Sequence, residues 1–387
     1  MAAPTTNSDN GRVKTLRLAV DPAHLDSIEA QDAIGQAARI LRGGGLVALP
    51  TETVYGLGAN ALDAAAVARI YEAKQRPSWD PIIVHIAGPV VDNPMLKGLV
   101  TNIPEPAQRL MAAFWPGPLT LLLPRSGAVP DLVTAGRILV GIRMPAHPVA
   151  FELICHAGVP VAAPSANIFG HISPTTAAHV LEDLDGRIDA VLDAGQTRHG
   201  VESTVLDPCQ SPMVIYRPGA ITAEQIREIA GPVRVFQSIE SMQTTPREAM
   251  PSPGVGLRHY APHARLILVD APLAKLPACL AEAAAPYAEE RLGLMLPKEL
   301  ANTELKVPLR AAAVFAWGCW SSLEELAGSL YAGLRALDAQ GCTVILCPLP
   351  IADGIGEAIR DRLYKAANSA GKQIHTIGQH PQAYTCT

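Results

Sequence analysis

The sequence predicts an α/β protein of two domains, and three observations carry that reading. Short apolar runs alternate with stretches of helical period up to about residue 231, and the alternation resumes from 264 onwards. Between them, 232–263 contains QSIESMQTTPREAMPSPG, a polar stretch rich in Pro, Gly and Ser that reads as an interdomain linker. Within the first domain, the runs between 119 and 143 and between 190 and 216 are joined by short connections. Short links favour antiparallel pairs, so the first sheet is expected to be twisted and mixed parallel/antiparallel, with flanking helices. A length of 387 residues suits two domains.

Taken in order, residues 1–24 read as a polar tail (MAAPTTNSDNG) followed by a first strand at 13–20. The first domain then covers 25–231. A helix over 27–42 places Ile34, Ala37, Ala38 and Leu41 on one face and ends in Gly43-Gly44-Gly45, which suits a left-handed C-cap. Strands are expected at 46–50, 81–86, 119–123, 138–143, 160–163, 190–193, 203–206 and 213–216, and helices at 63–74, 104–113, 147–157, 175–184 and 222–230. After the linker, 264–387 reads as a smaller domain with parallel-sheet character: strand 264–269, helix 271–286, strand 291–296, a strand near 312–316, helix 322–340, strand 342–347 and helix 355–369. Ser321 or Ser322 with Glu324 and Glu325 close behind suggests an N-cap with a capping box for the longest of these helices.

Composition narrows the function classes. Hydrophobic residues make up 49 % and aromatics 4 %, so the cores are built mainly from Ala, Val, Leu and Ile. The net charge of −5 and a pI near 6.1 do not suit a protein that lives on nucleic acid, and no stable nucleic-acid complex is expected. Seven cysteines include no CxxC pair, which points to reduced thiols rather than a disulfide framework or zinc site. The N-terminus lacks an apolar signal region, and no stretch has the apolar length of a membrane span, so the expected location is cytoplasmic.

Polar groups then concentrate at strand ends, where open α/β sheets bind ligands. PTETVYGLGANA at 50–61 places Thr51, Glu52, Thr53 and Tyr55 beside Gly56 and Gly58, which allow unusual dihedrals or a close approach. In EAKQRPSWDPIIVHI, Lys74 and Arg76 close a helix before two prolines; they suit helix capping or a triphosphate. His85, inside PIIVHI, reads on its own as a core histidine more readily than as a ligand. FWPGPLTLLLPR is read as structural. Arg143 ends a buried strand, so its charge needs an anionic partner from the protein or from a ligand. VAAPSANIFGHISPT offers Ser165, Asn167, Gly170 and Ser173 ahead of a helix, an anion site or simply N-capping by Ser173 or Thr175. GVESTVLD and IYRPGAIT add Ser203, Thr204 and Arg217, and the linker adds Arg258, His259, Tyr260 and His263. His259 and His263 have no adjacent carboxylate, and Pro262 argues against a helix between them, so no protein metal site is expected. Walker-type and GxGxxG loops are both absent.

These motifs, in this order, resemble the threonylcarbamoyl-AMP synthase family, and the linker SPGVGLRHYAPHA with the domain after it resembles the family's long, two-domain form. The likeness runs over nearly the whole chain beyond about residue 25. It implies a YrdC-like first domain and a smaller Rossmann-like α/β C-terminal domain. The implied activity is that of an L-threonylcarbamoyladenylate synthase. L-threonine and bicarbonate form N-carboxy-threonine, whose carboxylate attacks the α-phosphate of ATP. Pyrophosphate leaves, magnesium accompanies the triphosphate, and the product passes to a separate tRNA threonylcarbamoyl transferase that modifies adenosine 37.

Carried across motif by motif, the resemblance implies Thr53, His85, Arg143 and Ser203 as the threonine-binding residues, with Arg143 on the substrate carboxylate. It implies Lys74 and Arg76 as phosphate cations, catalytic as well as ATP-binding. Ser165, Asn167, Ser173 and Arg217 would bind ATP, and Tyr260 would close over the nucleotide. Gln75 stands where Gly is common, and Asp80, also placed near the nucleotide, stands where Asn is frequent. The alternative is an RNA-binding module without turnover. It is disfavoured by the thirteen Lys and Arg against sixteen Asp and Glu in residues 30–220. A carbamoyl-transfer domain of hydrogenase maturation would carry CxxC pairs, which this chain lacks, and retention of the cations speaks against a degenerate paralogue.

Overall fold

The computed structural model describes residues 14–236, 260–301 and 311–368. The N-terminal tail, most of the linker, and with it Arg258 and His259, lie outside the described residues. The first domain contributes strands β1 (Leu16–Ala19), β2 (Val47–Pro50), β3 (Tyr55–Asn60), β4 (Ile83–His85), β5 (Leu119–Pro124), β6 (Leu139–Arg143), β7 (Val161–Ala162), β8 (Ala190–Asp193), β9 (Thr204–Asp207), β10 (Met213–Arg217) and β11 (Val233–Val235). They form one 11-stranded sheet in the order β1-β8-β2-β3-β7-β4-β6-β5-β9-β10-β11. The sheet is mixed as expected: β5 runs antiparallel to β6 and β9 antiparallel to β10, whereas β1 and β2 run parallel to β8 and β4 parallel to β6. β1 pairs with β8 from Leu16 to Ala19, so the first strand is an edge of this sheet rather than part of a separate tail.

Eight helices flank that sheet: α1 (Ile28–Arg42), α2 (Ala64–Lys74), α3 (Pro94–Leu99), α4 (Glu105–Phe114), α5 (Asp131–Thr134), α6 (Pro148–Ala157), α7 (Ala177–Leu184) and α8 (Ala223–Ala230). The hydroxyl of Ser27 accepts from the Ala30 amide and starts α1, and Gly44, at φ 80°, takes the left-handed position after it. Ala30, Ala33, Ile34, Ala37, Ala38 and Leu41 of α1 are buried in a cluster with α6, β1 and β8. A second cluster on the other face joins α2, α4, α7 and α8. Neighbouring residues of β2 divide between the two, Ala48 to one face and Val47 and Leu49 to the other, as strand alternation requires. At the end of α2, Gln75 holds φ 52° and its amide donates to Glu72 O. This is the left-handed C-cap that Gly fills most easily.

Two first-domain strands depart from the sequence reading. Tyr55–Asn60, between the strand expected at 46–50 and the helix expected at 63–74, is itself a strand that pairs antiparallel with β2, so PTETVYGLGANA is a hairpin, not a strand-to-helix loop. Gly58 serves close packing there, since a Cβ would stand 2.8 Å from both Leu49 Cδ2 and Val161 Cγ1. Val233–Val235 lies inside the expected linker and pairs parallel with β10.

The second domain holds β12 (Arg265–Val269), β13 (Leu292–Pro297), β14 (Ala313–Gly318) and β15 (Val344–Pro348), all parallel, in the order β12-β15-β13-β14. Its helices are α9 (Leu276–Ala284), α10 (Lys298–Ala301), α11 (Leu323–Ala339) and α12 (Ile355–Asn368). Ser322 caps α11, but Glu325 does not close a capping box: its carboxylate accepts from the Cys319 amide and pairs with Lys298. α11 rests against the loop around Gly200 of the first domain so closely that a Cβ on Gly200 would stand 2.3 Å from Ala327 O. No helix of the described residues is long and apolar enough to cross a membrane.

Candidate active site

A cavity of about 70 Å³ opens where the tips of β2, β4, β6 and β9 meet the 163–165 segment after β7. Thr53, Arg76, His85, Arg143, Ser165, Ser203, Arg217 and Tyr260 all line it. Lys74, Asp80, Asn167 and Ser173, also named from sequence, stand behind the wall as supports.

The β2–β3 turn is tied by Thr51, whose hydroxyl donates to Val54 O at 2.6 Å and bonds Thr53 Oγ1 at 2.8 Å. That turn presents Thr53 to Arg143, the last residue of β6, whose Nη1 donates to Thr53 Oγ1 at 2.9 Å and whose Nε donates to Gly117 O at 3.2 Å. Nη2 stands 2.7 Å from Glu52 Oε1 as an ion pair. The anionic partner that Arg143 needs is therefore supplied by the protein itself. Burial would raise the Glu52 carboxyl, but Arg143 holds it below its usual range. His85 lies in register with Arg143 on the neighbouring strand. Burial, reinforced by the nearby Arg143 charge, lowers its pKa to about 3, so the imidazole is neutral.

Further round the wall, Arg217 at the end of β10 donates from Nε to Ser203 O and from Nη2 to Ser203 Oγ, each at 3.0 Å. The Ser203 hydroxyl also bonds Thr120 Oγ1 at 2.8 Å. The chain after Arg217 packs so closely on the 202–204 backbone that a Cβ on Gly219 would stand 2.3 Å from the Thr204 amide nitrogen. Arg76 is folded back on the chain that follows it, with Nη2 donating to Pro81 O at 2.7 Å and pairing with Asp80 Oδ2 at 2.9 Å.

The loop after β7 is built from behind. Lys74, 1 % exposed, donates from Nζ to Ser165 O at 2.6 Å and also to Asn167 O. Burial, with Arg76 adding to it, drives the Lys74 pKa well down. Asn167 Nδ2 donates to Ile168 O and His171 O, closing the turn in which Gly170 takes φ 90°. Ser173 does not cap the next helix, and neither does Thr175; Thr176 does. Ser173 Oγ instead donates to Glu202 Oε1 at 2.6 Å.

Tyr260, at φ 68°, covers the cavity from the returning end of the linker, where Ala261 N donates to Gly170 O. Its ring stacks on Tyr331 of α11, with centroids 5.7 Å apart and planes 23° apart. Four positions around the cavity were not assigned a part from sequence: Glu52 as the partner of Arg143, Glu202 in the wall, and Tyr331 and Arg362 behind it. Glu52 and Glu202 each sit inside a motif already singled out; nothing local marks Tyr331 or Arg362.

Comparison with known proteins gives consistent answers over both domains. A family model described as "Telomere recombination" matches residues 39–219, and one described as "Threonylcarbamoyl-AMP synthase, C-terminal domain" matches residues 221–368. The threonylcarbamoyl-AMP synthase of Pyrococcus abyssi is 44 % identical over 333 residues, covering 86 % of this chain and 93 % of that protein. The Bacillus subtilis threonylcarbamoyl-AMP synthase is 43 % identical over 359 residues, covering 92 % and 98 %. The crystal structure of P. abyssi Sua5 complexed with L-threonine aligns with a TM-score of 0.82 at 40 % identity, over 94 % of this chain and 100 % of that one.

Proposed function

This chain belongs to the threonylcarbamoyl-AMP synthase family, and from that premise we propose how its site makes the product. It is an enzyme of tRNA modification that joins threonine-derived carbamate to AMP, with L-threonine, bicarbonate and ATP as substrates and pyrophosphate as the second product. One observation carries the proposal: three arginines, two hydroxyls and a neutral imidazole (Arg76, Arg143, Arg217, Thr53, Ser203 and His85) converge on one cavity.

Each side chain has a task that its surroundings favour. Arg143, with Thr53 on the same guanidinium, receives the threonine carboxylate. His85 stays neutral and so does not repel the substrate amine, which must lose its proton to take up bicarbonate. Ser203 sits between Arg217 and Thr120 and orients the carbamate beside the nucleotide. Arg76 and Arg217 face the phosphates, and the Ser165–Ser173 loop, which Lys74 and Asn167 hold in shape, receives the nucleotide. Asp80 keeps Arg76 aligned. Magnesium bound with the triphosphate would supply further charge neutralisation for the leaving pyrophosphate, on the side where Arg76 and Arg217 stand. The attacking group belongs to the substrate, so the protein's work is alignment and charge stabilisation.

The cavity is far smaller than the roughly 300–1,000 Å³ of small-molecule sites, so ATP entry displaces a wall. The Tyr260 side, at the end of the linker, is the one that gives. When it closes again it keeps water from the mixed anhydride. The decisive experiment is pyrophosphate release from ATP, magnesium and bicarbonate, with L-threonine, with L-serine and without amino acid. Release that depends on threonine is expected; its absence in folded protein that binds ATP would overturn the proposal.

A further inference from the structure

No described residue of the second domain lines the cavity, yet two of the cavity's wall residues are held from there. Arg362 of α12 is 1 % exposed and donates from Nε to Glu202 Oε2 at 2.8 Å and from Nη2 to Pro218 O at 3.0 Å. Its guanidinium carbon lies 5.4 Å from the Tyr260 ring centroid. Tyr331 donates its hydroxyl to Glu202 Oε2 at 3.0 Å while its ring stacks on Tyr260. Glu202 is thus engaged on three sides, by Arg362, Tyr331 and Ser173.

The charges around the cavity give this clamp a consequence. Arg143 is paired with Glu52 and Arg76 with Asp80. Arg217 donates only to Ser203, and among the described residues it is the cavity-wall arginine with no ion pair to a carboxylate. Glu202 precedes Ser203 directly and lines the same wall. Burial alone would raise its pKa, but Arg362 first and Arg217 second hold it down to about 2, so it stays ionised. Without Arg362, the arginine left acting on an ionised Glu202 is Arg217.

We infer that Arg362 is a positioning residue for the nucleotide: by claiming Glu202, the second domain keeps Arg217 available to the triphosphate. The inference rests on the synthase reading above and assigns the second domain a part in ATP binding through charge allocation, not through contact. Removing Arg362 lets Glu202 capture Arg217, which weakens ATP and leaves the Arg143 end of the cavity alone.

The test uses the full chain and pyrophosphate release, with ATP varied at saturating threonine and threonine varied at saturating ATP. Arg362→Gln is expected to raise the KM for ATP about tenfold or more and to shift the KM for threonine less than about twofold. The double variant Arg362→Gln, Glu202→Gln leaves no carboxylate to capture Arg217 and is expected to recover to within about threefold of the unmodified enzyme. A purely structural role would move both KM values together and would not be rescued by the second change; that result overturns the inference, as would an unchanged KM for ATP. Should Arg362→Gln fail to fold, Arg362→Lys carries the test. It keeps a charge on Glu202, so the KM for ATP should stay within about threefold of the unmodified enzyme; a rise of about tenfold or more with the charge retained counts against the inference. If the unmodified enzyme shows no threonine-dependent release, the synthase reading fails. If it is active but the variants do not separate the two KM values, only this inference fails.

Discussion

Arg143 and Glu52 form a nearly solvent-free ion pair, 2.7 Å from Nη2 to Oε1, at the point where the β2–β3 turn meets the end of β6. The pair joins two parts of the site that are far apart in sequence, and it fixes the orientation of Arg143, whose other arms reach Thr53 and Gly117. Arg143→Ala would strand the Glu52 carboxylate in the interior. Such a loss destabilises a fold by about 3–5 kcal/mol. Where the variant remains folded, the KM for threonine should rise about a hundredfold with little change for ATP, matching the roughly 1.5–3 kcal/mol of a charged hydrogen bond. Equal changes in both KM values would deny Arg143 its place on the amino acid.

Lys74 poses a choice that one variant can settle. Its ammonium is spent on the carbonyls of Ser165 and Asn167, and Phe169 N in turn donates to Lys74 O. Lys74→Met removes the donor and leaves two carbonyls unsatisfied, at about 1–3 kcal/mol each. Faster amide exchange across 165–171 in the absence of ligand, together with a raised KM for ATP, is the expected result. Lost activity with unchanged exchange would mean that Lys74 meets the phosphates directly.

How far the sequence told this story depends on the distance over which each signal acts. Strand runs and helix caps are local, so the mixed sheet, the parallel second sheet and helices such as 27–42 were legible. At 50–61 the close approach that Gly56 and Gly58 allow is packing against Ala163 and Val161, but the strand they belong to was not legible, because two glycines blur its alternation. The motif residues were found, but not their division of labour. Whether Lys74 faces the cavity or braces the loop behind it is decided by packing from 91 and 93 residues away. Arg362 lies 160 residues from the Glu202 it clamps, inside a helix pattern that looks ordinary.

Histidine burial makes the fold sensitive to mild acid. His85 titrates near 6.5 when unfolded but only at about 3 in the native state, so between those values the unfolded chain binds the extra proton. Its contribution is fully present above pH 6.5 and is lost as the pH falls, by about 2 kcal/mol at pH 5. His147, His179 and His199 are also lowered by burial and act in the same direction. Denaturant midpoints at pH 7 and pH 5 should therefore differ, and His85→Gln should narrow the gap by about the amount assigned to His85. An unaltered gap would show that His85 is protonated in the folded protein.

The contact between domains can be tested without touching the cavity. Gly200 holds φ 67°, a conformation that costs a residue with a Cβ about 1 kcal/mol. An added methyl would also stand 2.3 Å from Ala327 O and 2.7 Å from Gly328 Cα, both backbone atoms of α11 that cannot rotate away. The loop and the helix must then separate. The buried apolar cluster that joins Val54, Ile172, Val201 and Tyr260 to Leu326, Leu330 and Tyr331 would have to open with them. Gly200→Ala is accordingly expected to lower stability by at least about 2 kcal/mol, the strained backbone and the overpacked contact adding together. It should also split a single thermal transition into two as the domains uncouple. A single transition at the original temperature would mean that the interface is looser than the contact at Gly200 implies, and that the second domain holds Glu202 and Tyr260 less firmly.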